Sequence, residues 1–274
     1  MTTQLDKRLY KTSVARHFGR AATTYNDYAG FQLRVVDELA ELLPSAFLQE
    51  PSSLDRSTSS VFVDLGAGTG SSSKALRKKY GSQPHLLSLD ISVDMLKQLK
   101  FDGVNTNVCC ADFEQLPIKS SSIDLFFSSL AIQWCLSLDT LLSEVNRALV
   151  PDGEFVFSTL LNGSMFELEQ AWNQVDRRSH VNHYLSEAQI LEKIKTNNFE
   201  VVCCESKIIT MTFPSVKSAL YSLKKIGASL VVEGQKEFMS KSKWKQFVGA
   251  YEEYKTHQGI PLSYQVMFSR IRKK

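Results

Sequence analysis

Residues 61–70 read VFVDLGAGTG, and no other stretch of the chain narrows its possible folds so far. A short apolar strand, 61–65, runs directly into glycines 66, 68 and 70, and a helix pattern follows from Ser71 to Tyr80. A glycine-rich turn between strand and helix lets backbone approach a ligand closely, and the helix N-terminus favours an anionic group. The details exclude the common users of such turns. A nicotinamide-dinucleotide turn needs a glycine three residues after the second one, and Ser71 stands there. A phosphate loop ends in Gly-Lys-Ser/Thr, which is missing. What remains is G-x-G-x-G with an acid, Asp64, two residues before the first glycine.

The neighbouring sequence supplies the rest of the sheet. Further strand patterns occupy 85–90, 107–112, 123–130, 154–160, 199–213 and 263–271. Helical spacing fills 138–149, about 164–176, 186–196 and 215–257, with Ser92 and Asp94 opening another helix after the second strand. Strands alternating with helices at this spacing predict an α/β fold: a doubly wound, mainly parallel sheet of seven strands. Before it, residues 10–43 read as helices broken near Tyr25, and 45–60 as a Ser-rich loop. The expected organisation is one integrated domain. Residues 1–60 form an N-terminal helical segment and linker, 61–160 the nucleoside-binding core, and 161–274 the rest of the sheet. Substrate and cap insertions are expected at 161–185 and 214–260, the latter a helical cap near the C-terminus.

Open sheets bind ligands beyond the carboxyl ends of their strands, so the residues there carry the chemistry. Asp90 ends the second strand and is placed to accept both hydroxyls of a ribose; Ser92 is the better helix cap. Asp112 and Phe113 end the third, where a carboxylate can accept from an adenine amine beside an aromatic ring. The fourth ends in Ser128-Ser129-Leu130-Ala131-Ile132-Gln133-Trp134, polar groups suited to a transfer pocket, with Trp134 equally suited to the core.

Whole-chain properties bound the alternatives. The cysteines Cys109, Cys110, Cys135, Cys203 and Cys204 show no metal-ligand spacing and no disulfide framework, so no metal is expected. No apolar run approaches the roughly 18 residues of a membrane span, and the polar N-terminus lacks a secretory core. A cytoplasmic protein, bound to neither membrane nor nucleic acid, is expected. Net charge is only +3, yet from Lys217 onward there are 12 Lys/Arg against 4 Asp/Glu. That excess reads as a solvated surface or as a docking face for an acidic partner.

The ordered strand-end motifs resemble those of the class I S-adenosylmethionine (SAM)-dependent methyltransferases. More specifically, the chain resembles the malonyl-acyl-carrier-protein O-methyltransferases (BioC) of biotin synthesis nearly end to end. The likeness runs through Val14-Ala-Arg16-His-Phe18-Gly19-Arg20 to Tyr25, with Gln32 after it. It continues in Ser128 to Cys135, Phe157 to Leu160, Glu167-Leu168 to Trp172 with Asp176, and His180-Val181-Asn182-His183-Tyr184. Lys224 to Ala228 and the Tyr264 strand complete it. Ala67 replaces the family's usual Cys, and His183-Tyr184 replaces the more frequent Arg-Phe.

The resemblance implies methyl transfer from SAM to the free carboxylate of a malonyl group on acyl carrier protein, by a monomeric enzyme. It implies cofactor contacts at Tyr25, Gln32, Asp64, Gly66, Gly68, Gly70, Asp90, Ile91, Asp112, Phe113, Ser129 and Leu130. It also implies catalytic contacts at Tyr25, His180, Asn182 and Arg177, with Arg178 an alternative to Arg177. Other small-molecule methyltransferases, of the trans-aconitate or quinone-precursor type, remain open. So does an assembly factor or hydroxylase on the same fold. The strand-end reading makes Asp90 decisive for cofactor. Asp90→Ala removes a charged acceptor and weakens SAM binding by about 1.5–3 kcal/mol, tenfold and upward, by calorimetric titration; wild-type affinity rules that role out.

Overall fold

Consecutive strand residues point to opposite faces, and here both faces are apolar, so helices cover the sheet on both sides. The computed structural model describes residues 4–45, 60–176, 178–228 and 240–274. Helices α1 (Gln4–Ala21), α2 (Tyr25–Tyr28) and α3 (Gly30–Ala40) precede β1 (Val61–Leu65) and α4 (Ser71–Tyr80). Then come β2 (His85–Asp90), α5 (Val93–Phe101), β3 (Asn107–Cys110), β4 (Ile123–Ser129), α6 (Leu138–Ala148) and β5 (Leu149–Leu160). The remainder is α7 (Phe166–Asn173), α8 (Glu187–Thr196), β6 (Phe199–Phe213), α9 (Val216–Lys225), α10 (Lys241–Glu252) and β7 (Ile260–Lys273).

The sheet has seven strands in the order β3-β2-β1-β4-β5-β7-β6, parallel from β3 to β5, with β7 antiparallel to both neighbours. Phe62, Leu125, Phe127 and Val156 face one apolar cluster with Phe31, Val35 and Leu39 of α3 and Phe247 of α10. Their chain neighbours Val63, Phe126, Phe155 and Phe157 face another with α6 and α8. The polypeptide leaves β1 toward β2 on one side, and returns to β4 on the other. The gap between the carboxyl ends of β1 and β4 is therefore the switch point at which such sheets open.

Helix starts follow their sequence signals. Ser92 and Ser137 accept from the third backbone N–H of α5 and α6, and Ser186 with Gln189 forms a capping box on α8. Two expectations are corrected. The strand expected over 154–160 starts earlier, at Leu149, and Pro151-Asp152-Gly153 form an irregularity inside it: Ile123 pairs with Leu149 and Leu125 with Glu154, the excess residues bulge out, and Asp152 has φ +59°. Fully buried Leu149 keeps the strand in the ladder from its first residue. The helical stretch expected over 215–257 is two helices, α9 and α10; residues 229–239 between them lie outside the described residues, as do 46–59 of the Ser-rich loop.

One ionic cluster joins β5 to β7. Buried Glu154 accepts from Arg270 Nε at 2.7 Å and Nη2 at 2.9 Å, and from Arg272 Nη2 at 3.0 Å. Part of the C-terminal positive charge is thus spent inside the fold. Removing the carboxylate leaves two guanidinium groups crowded and only partly hydrated. Glu154→Ala loses about 2–4 kcal/mol of unfolding free energy, measured by urea denaturation; a loss under about 0.5 kcal/mol would mean the cluster is idle.

Candidate functional site

The glycine turn is pinned between β2 and β4. Gly66 N and Ala67 N donate to Leu89 O at 2.8 and 3.0 Å, and Gly66 lies so close to Ala131 that an added Cβ would stand 2.3 Å from the Ala131 Cβ. With φ +71°, only glycine fits. Gly68 is the opposite case: a Cβ there would meet nothing within 4 Å, because the residue faces a cavity. Its N–H donates to Asp90 Oδ2 at 2.9 Å, while Asp90 Oδ1 accepts from Ser92 N at 2.7 Å. Burial raises the Asp90 carboxyl above its ordinary range, against the lowering effect of those backbone donors.

The cavity is lined by Gly66, Gly68, Asp90 and Ile91 on the β1–β2 side. Asp112 and Phe113 line the end beyond β3, and Ser129 and Leu130 the end beyond β4. Leu130 has φ +50°, unusual for a leucine, and is held there by its N–H to Ser158 and by Gln133 Nε2 donating to its carbonyl at 2.7 Å. Tyr25 closes the cavity from α2, and Lys11, Val14 and Phe18 cover it from one face of α1. Burial, and then the charge of Asp90, push the Tyr25 phenol far up, so it stays protonated.

A second cavity adjoins the first, sharing Phe18, Tyr25, Leu130 and Trp134. Its far wall is Gln133, Tyr184 and Tyr264 with apolar residues of α9, and Tyr264 stacks on Phe31 at 3.8 Å. Gln32 lines this chamber, and its buried Oε1 accepts no hydrogen bond from the described residues. Together the chambers form a bipartite pocket: a glycine-and-carboxylate half suited to a nucleoside, and an aromatic half gated by one phenol.

Several expected site residues stand elsewhere. Asp64 lies wholly buried beneath the glycine turn, off the cavity wall; its Oδ2 accepts from Ser73 Oγ at 2.5 Å and its Oδ1 has no partner among the described residues. Gly70 caps α4 instead of lining the cavity. Gln32 belongs to the second chamber, not the first. His180 lines neither. Its ring stacks on Trp172 at 3.8 Å, Nε2 pairs with Asp176 at 2.8 Å, and Trp172 stacks in turn on Phe247 of α10. Asn182 stands behind the wall, hydrogen-bonded to the Tyr184 side chain. Arg177 lies outside the described residues; Arg178 is exposed.

Sequence reasoning missed Lys11 and gave Tyr184 no contact of its own, whereas Gln133, one of the polar residues expected at the end of β4, does line the second chamber. Lys11, Val14 and Phe18 do share helical spacing, but a lysine in a basic N-terminal helix reads as solvated until the helix is seen to pack over the cavity.

Comparison with known proteins agrees with this geometry. A family model described as "Methyltransferase domain" matches residues 63–157. A malonyl-[acyl-carrier protein] O-methyltransferase of Marinomonas sp. (strain MWYL1) is 39% identical over 98% of this chain and 96% of its own. The biotin biosynthesis bifunctional protein BioHC of Cellvibrio japonicus is 32% identical over 98% of this chain, which spans 50% of that longer protein. Among solved structures, YcgJ of Bacillus subtilis superposes with a TM-score of 0.54 at 15% identity, covering 79% of this chain and 92% of its own; it shows the fold.

Burial of Asp64 has a consequence for stability. Desolvation lifts its carboxyl to about 7, against the Ser73 hydrogen bond that lowers it. The folded state therefore holds this proton more tightly than the unfolded chain, whose Asp titrates near about 3.9. The stabilisation is complete below the unfolded value and is lost as pH rises through the folded one. Between about pH 4 and about pH 7 it declines by up to about 4 kcal/mol. Asp64→Asn does not titrate, so urea denaturation shows its stability relative to wild type improving across that window; a pH-independent difference means Asp64 is ionised throughout.

Proposed function

The chain belongs to the malonyl-[acyl-carrier protein] O-methyltransferases, and from that premise we infer its reaction. It transfers the methyl group of S-adenosylmethionine to the free carboxylate of a malonyl thioester on acyl carrier protein. The product is the malonyl methyl ester that primes pimeloyl formation in biotin synthesis. The observation that carries this reading is the bipartite pocket: two chambers sharing Tyr25, Leu130 and Trp134. The first chamber fits the cofactor, because Gly68 presents bare backbone to open space and Asp90 faces the same cavity. When bound, SAM supplies a methyl group already activated on a sulfonium.

The protein's own work is to bind, orient and dry the reactants. Asp90 accepts the ribose hydroxyls, with spare lone pairs on both oxygens. Asp112 accepts from the adenine amine, Ile91 and Phe113 flank the base, and Gly66 and Gly68 offer backbone to the amino-acid end. Ser129 and Leu130 would stand at the transfer end of the bound cofactor. A carboxylate with a pKa near about 4 is already ionised at neutral pH, so no general base is needed. Tyr25, kept protonated by burial, is a neutral donor at the junction, able to hold the carboxylate in line with the methyl carbon without ion-pairing it. Holding reactants aligned in a water-poor site supplies the rate. Gln32, Gln133 and Tyr184 provide the remaining polar contacts. Asn182 acts by fixing Tyr184, and His180 by fastening the insert to α10 through Trp172.

The carrier protein approaches the mouth of the second chamber. Leu223 of helix α9 and Ile226, which caps it, line that chamber, and exposed Lys224 follows Leu223. Lys225 lies 5.8 Å from the Tyr28 ring centre and 5.2 Å from that of Tyr221. Lys241 and Lys245 are exposed on α10. Acyl carrier proteins are acidic, and their thioester hangs on a long arm, so a basic rim steers the protein while the arm enters. The enzyme is proposed to act as a monomer in the cytoplasm; among the described residues, no helix is long and apolar enough to cross a membrane.

Incubation of malonyl carrier protein with SAM adds the mass of one methylene to the carrier, read by mass spectrometry. No gain overturns the assignment. The docking surface has its own readout. Single exposed pairs are worth only about 0–1 kcal/mol, so a Lys224/Lys225/Lys241→Glu triple variant is used across a salt series in which the Debye length shrinks from about 10 to about 3 Å. It loses most of kcat/KM and most of the salt dependence on malonyl carrier protein, and keeps most of its activity on malonyl-coenzyme A. An equal response of both substrates means the lysines are only a solvated face.

A further inference from the structure

The cofactor chamber has a cover whose fastening no sequence motif announces. Helix α1 lays Lys11, Val14 and Phe18 over it. The inner half of the helix is fixed by packing: Phe18 meets Trp134 edge to face at 5.3 Å, and Gly19 is so close to α5 that an added Cβ would stand 3.1 Å from Asp94 Oδ2. The outer half is not held that way. Leu5 and Leu9 are 67% and 60% exposed, so neither leucine is packed in as an anchor for the first turns.

What reaches across instead is Lys11. Its ammonium donates to Asp112 Oδ1 at 2.9 Å and to Glu114 Oε2, and stands 4.9 Å from the Phe113 ring centre. One turn of the 112–114 segment is thus gripped by a single cation. Glu114 is itself anchored, accepting from Leu136 N at 2.9 Å and Ser137 N at 2.7 Å, so the grip leads into the body of the fold. Lys11 and Glu114 side chains are 14% and 10% exposed, which protects the pair from the screening that makes surface ion pairs weak. Tyr10 adds one bond, donating to Trp134 O at 3.2 Å.

We propose that Lys11 is the catch that closes α1 over the bound cofactor, a positioning residue acting through Asp112 and Glu114. The proposal rests on the cofactor assignment made above. Both described hydrogen bonds to the Asp112 carboxylate, from Lys11 and from Glu114 N, fall on Oδ1. Lys11 therefore holds this carboxylate in one rotamer with Oδ2 left for the adenine amine, and neutralises the repulsion between the Asp112 and Glu114 carboxylates. Exchange of product cofactor for fresh SAM requires the catch to open, since Lys11, Val14 and Phe18 lie on the wall the nucleoside would pass.

A catch governs how fast a ligand leaves more than how fast it arrives. Stopped-flow and calorimetric measurements on the full chain with SAM and with S-adenosylhomocysteine are expected to show koff raised about tenfold in Lys11→Met, alike for both ligands, with a smaller change in kon. Lys11→Arg restores slow release, because a guanidinium can bridge two carboxylates. Glu114→Gln, made in case loss of the lysine unfolds the chain, gives the same fast release, and Lys11→Met/Glu114→Gln is no worse than either single variant. Chymotryptic cleavage near Leu9 and Tyr10 is slowed by S-adenosylhomocysteine in wild type and is slowed less in Lys11→Met. Unchanged koff in both single variants, or an Lys11→Arg variant as leaky as Lys11→Met, overturns the proposal. A wild type that binds no SAM overturns the cofactor assignment, and the catch with it.

Discussion

At the switch point of the sheet, the backbone of Gly66 passes Ala131 with no room for a side chain. That close approach brings the ends of β1 and β4 together and sets the geometry of everything around them. It turns the chain so that Gly68 faces open space, and it lets Asp90 accept from the turn's own backbone. On the β4 side the tightness is matched by Leu130, held at positive φ by Ser158 and Gln133. A strained leucine flanked by a glycine that tolerates no methyl group is where the two chambers meet. Local strain of this kind persists only where the surroundings over-determine it, and here the surroundings are two buried parallel strands.

Electrostatics divides the pocket in the same place. The nucleoside half carries the carboxylates of Asp90 and Asp112, with Asp64 buried beneath its glycine turn, and burial raises Asp90 and Asp64. The other half is aromatic and amide-lined, with phenols at Tyr25 and Tyr184 that burial keeps protonated. A substrate anion entering such a chamber meets neutral donors. It keeps its nucleophilic lone pairs while losing its water, which suits a displacement that needs alignment and no proton transfer. The covering elements are held by different means. The insert is clamped to α10 by the His180–Trp172–Phe247 stack, and α1 by packing at one end and by Lys11 at the other.

The family likeness and the sheet were legible in the sequence because both rest on local patterns. Residues 61–70, Asp90, Asp112-Phe113 and Ser129-Leu130 each follow a strand directly, and a strand end in an open parallel sheet has one place to go. Chain order therefore sufficed to bring Gly66, Gly68, Asp90, Ile91, Asp112, Phe113, Ser129 and Leu130 to one cavity. Helix starts were equally readable, since a serine cap acts on N–H groups three residues away.

Residues joined only by packing of distant elements were not legible. His180 and Asn182 carry polar groups suited to an anion, and nothing in their sequence tells a contact from a support. Only the docking of the insert on α10 decided that His180 would stack on Trp172 and that Tyr184 would face the chamber. Asp64 and Gln32 show the same limit: Asp64 turned beneath the glycine turn, and Gln32 turned into the second chamber. Lys11 is the clearest case, lying 101 residues from Asp112 and 103 from Glu114. Sequence by itself determined the strands, the turn and the class of ligand, because hydrogen-bonding periodicity and glycine sterics act over a few residues. The tertiary structure alone decided which side chains line the acceptor chamber and what closes the cofactor half. Those outcomes depend on how whole helices pack, and packing is a property of surfaces that no single segment contains.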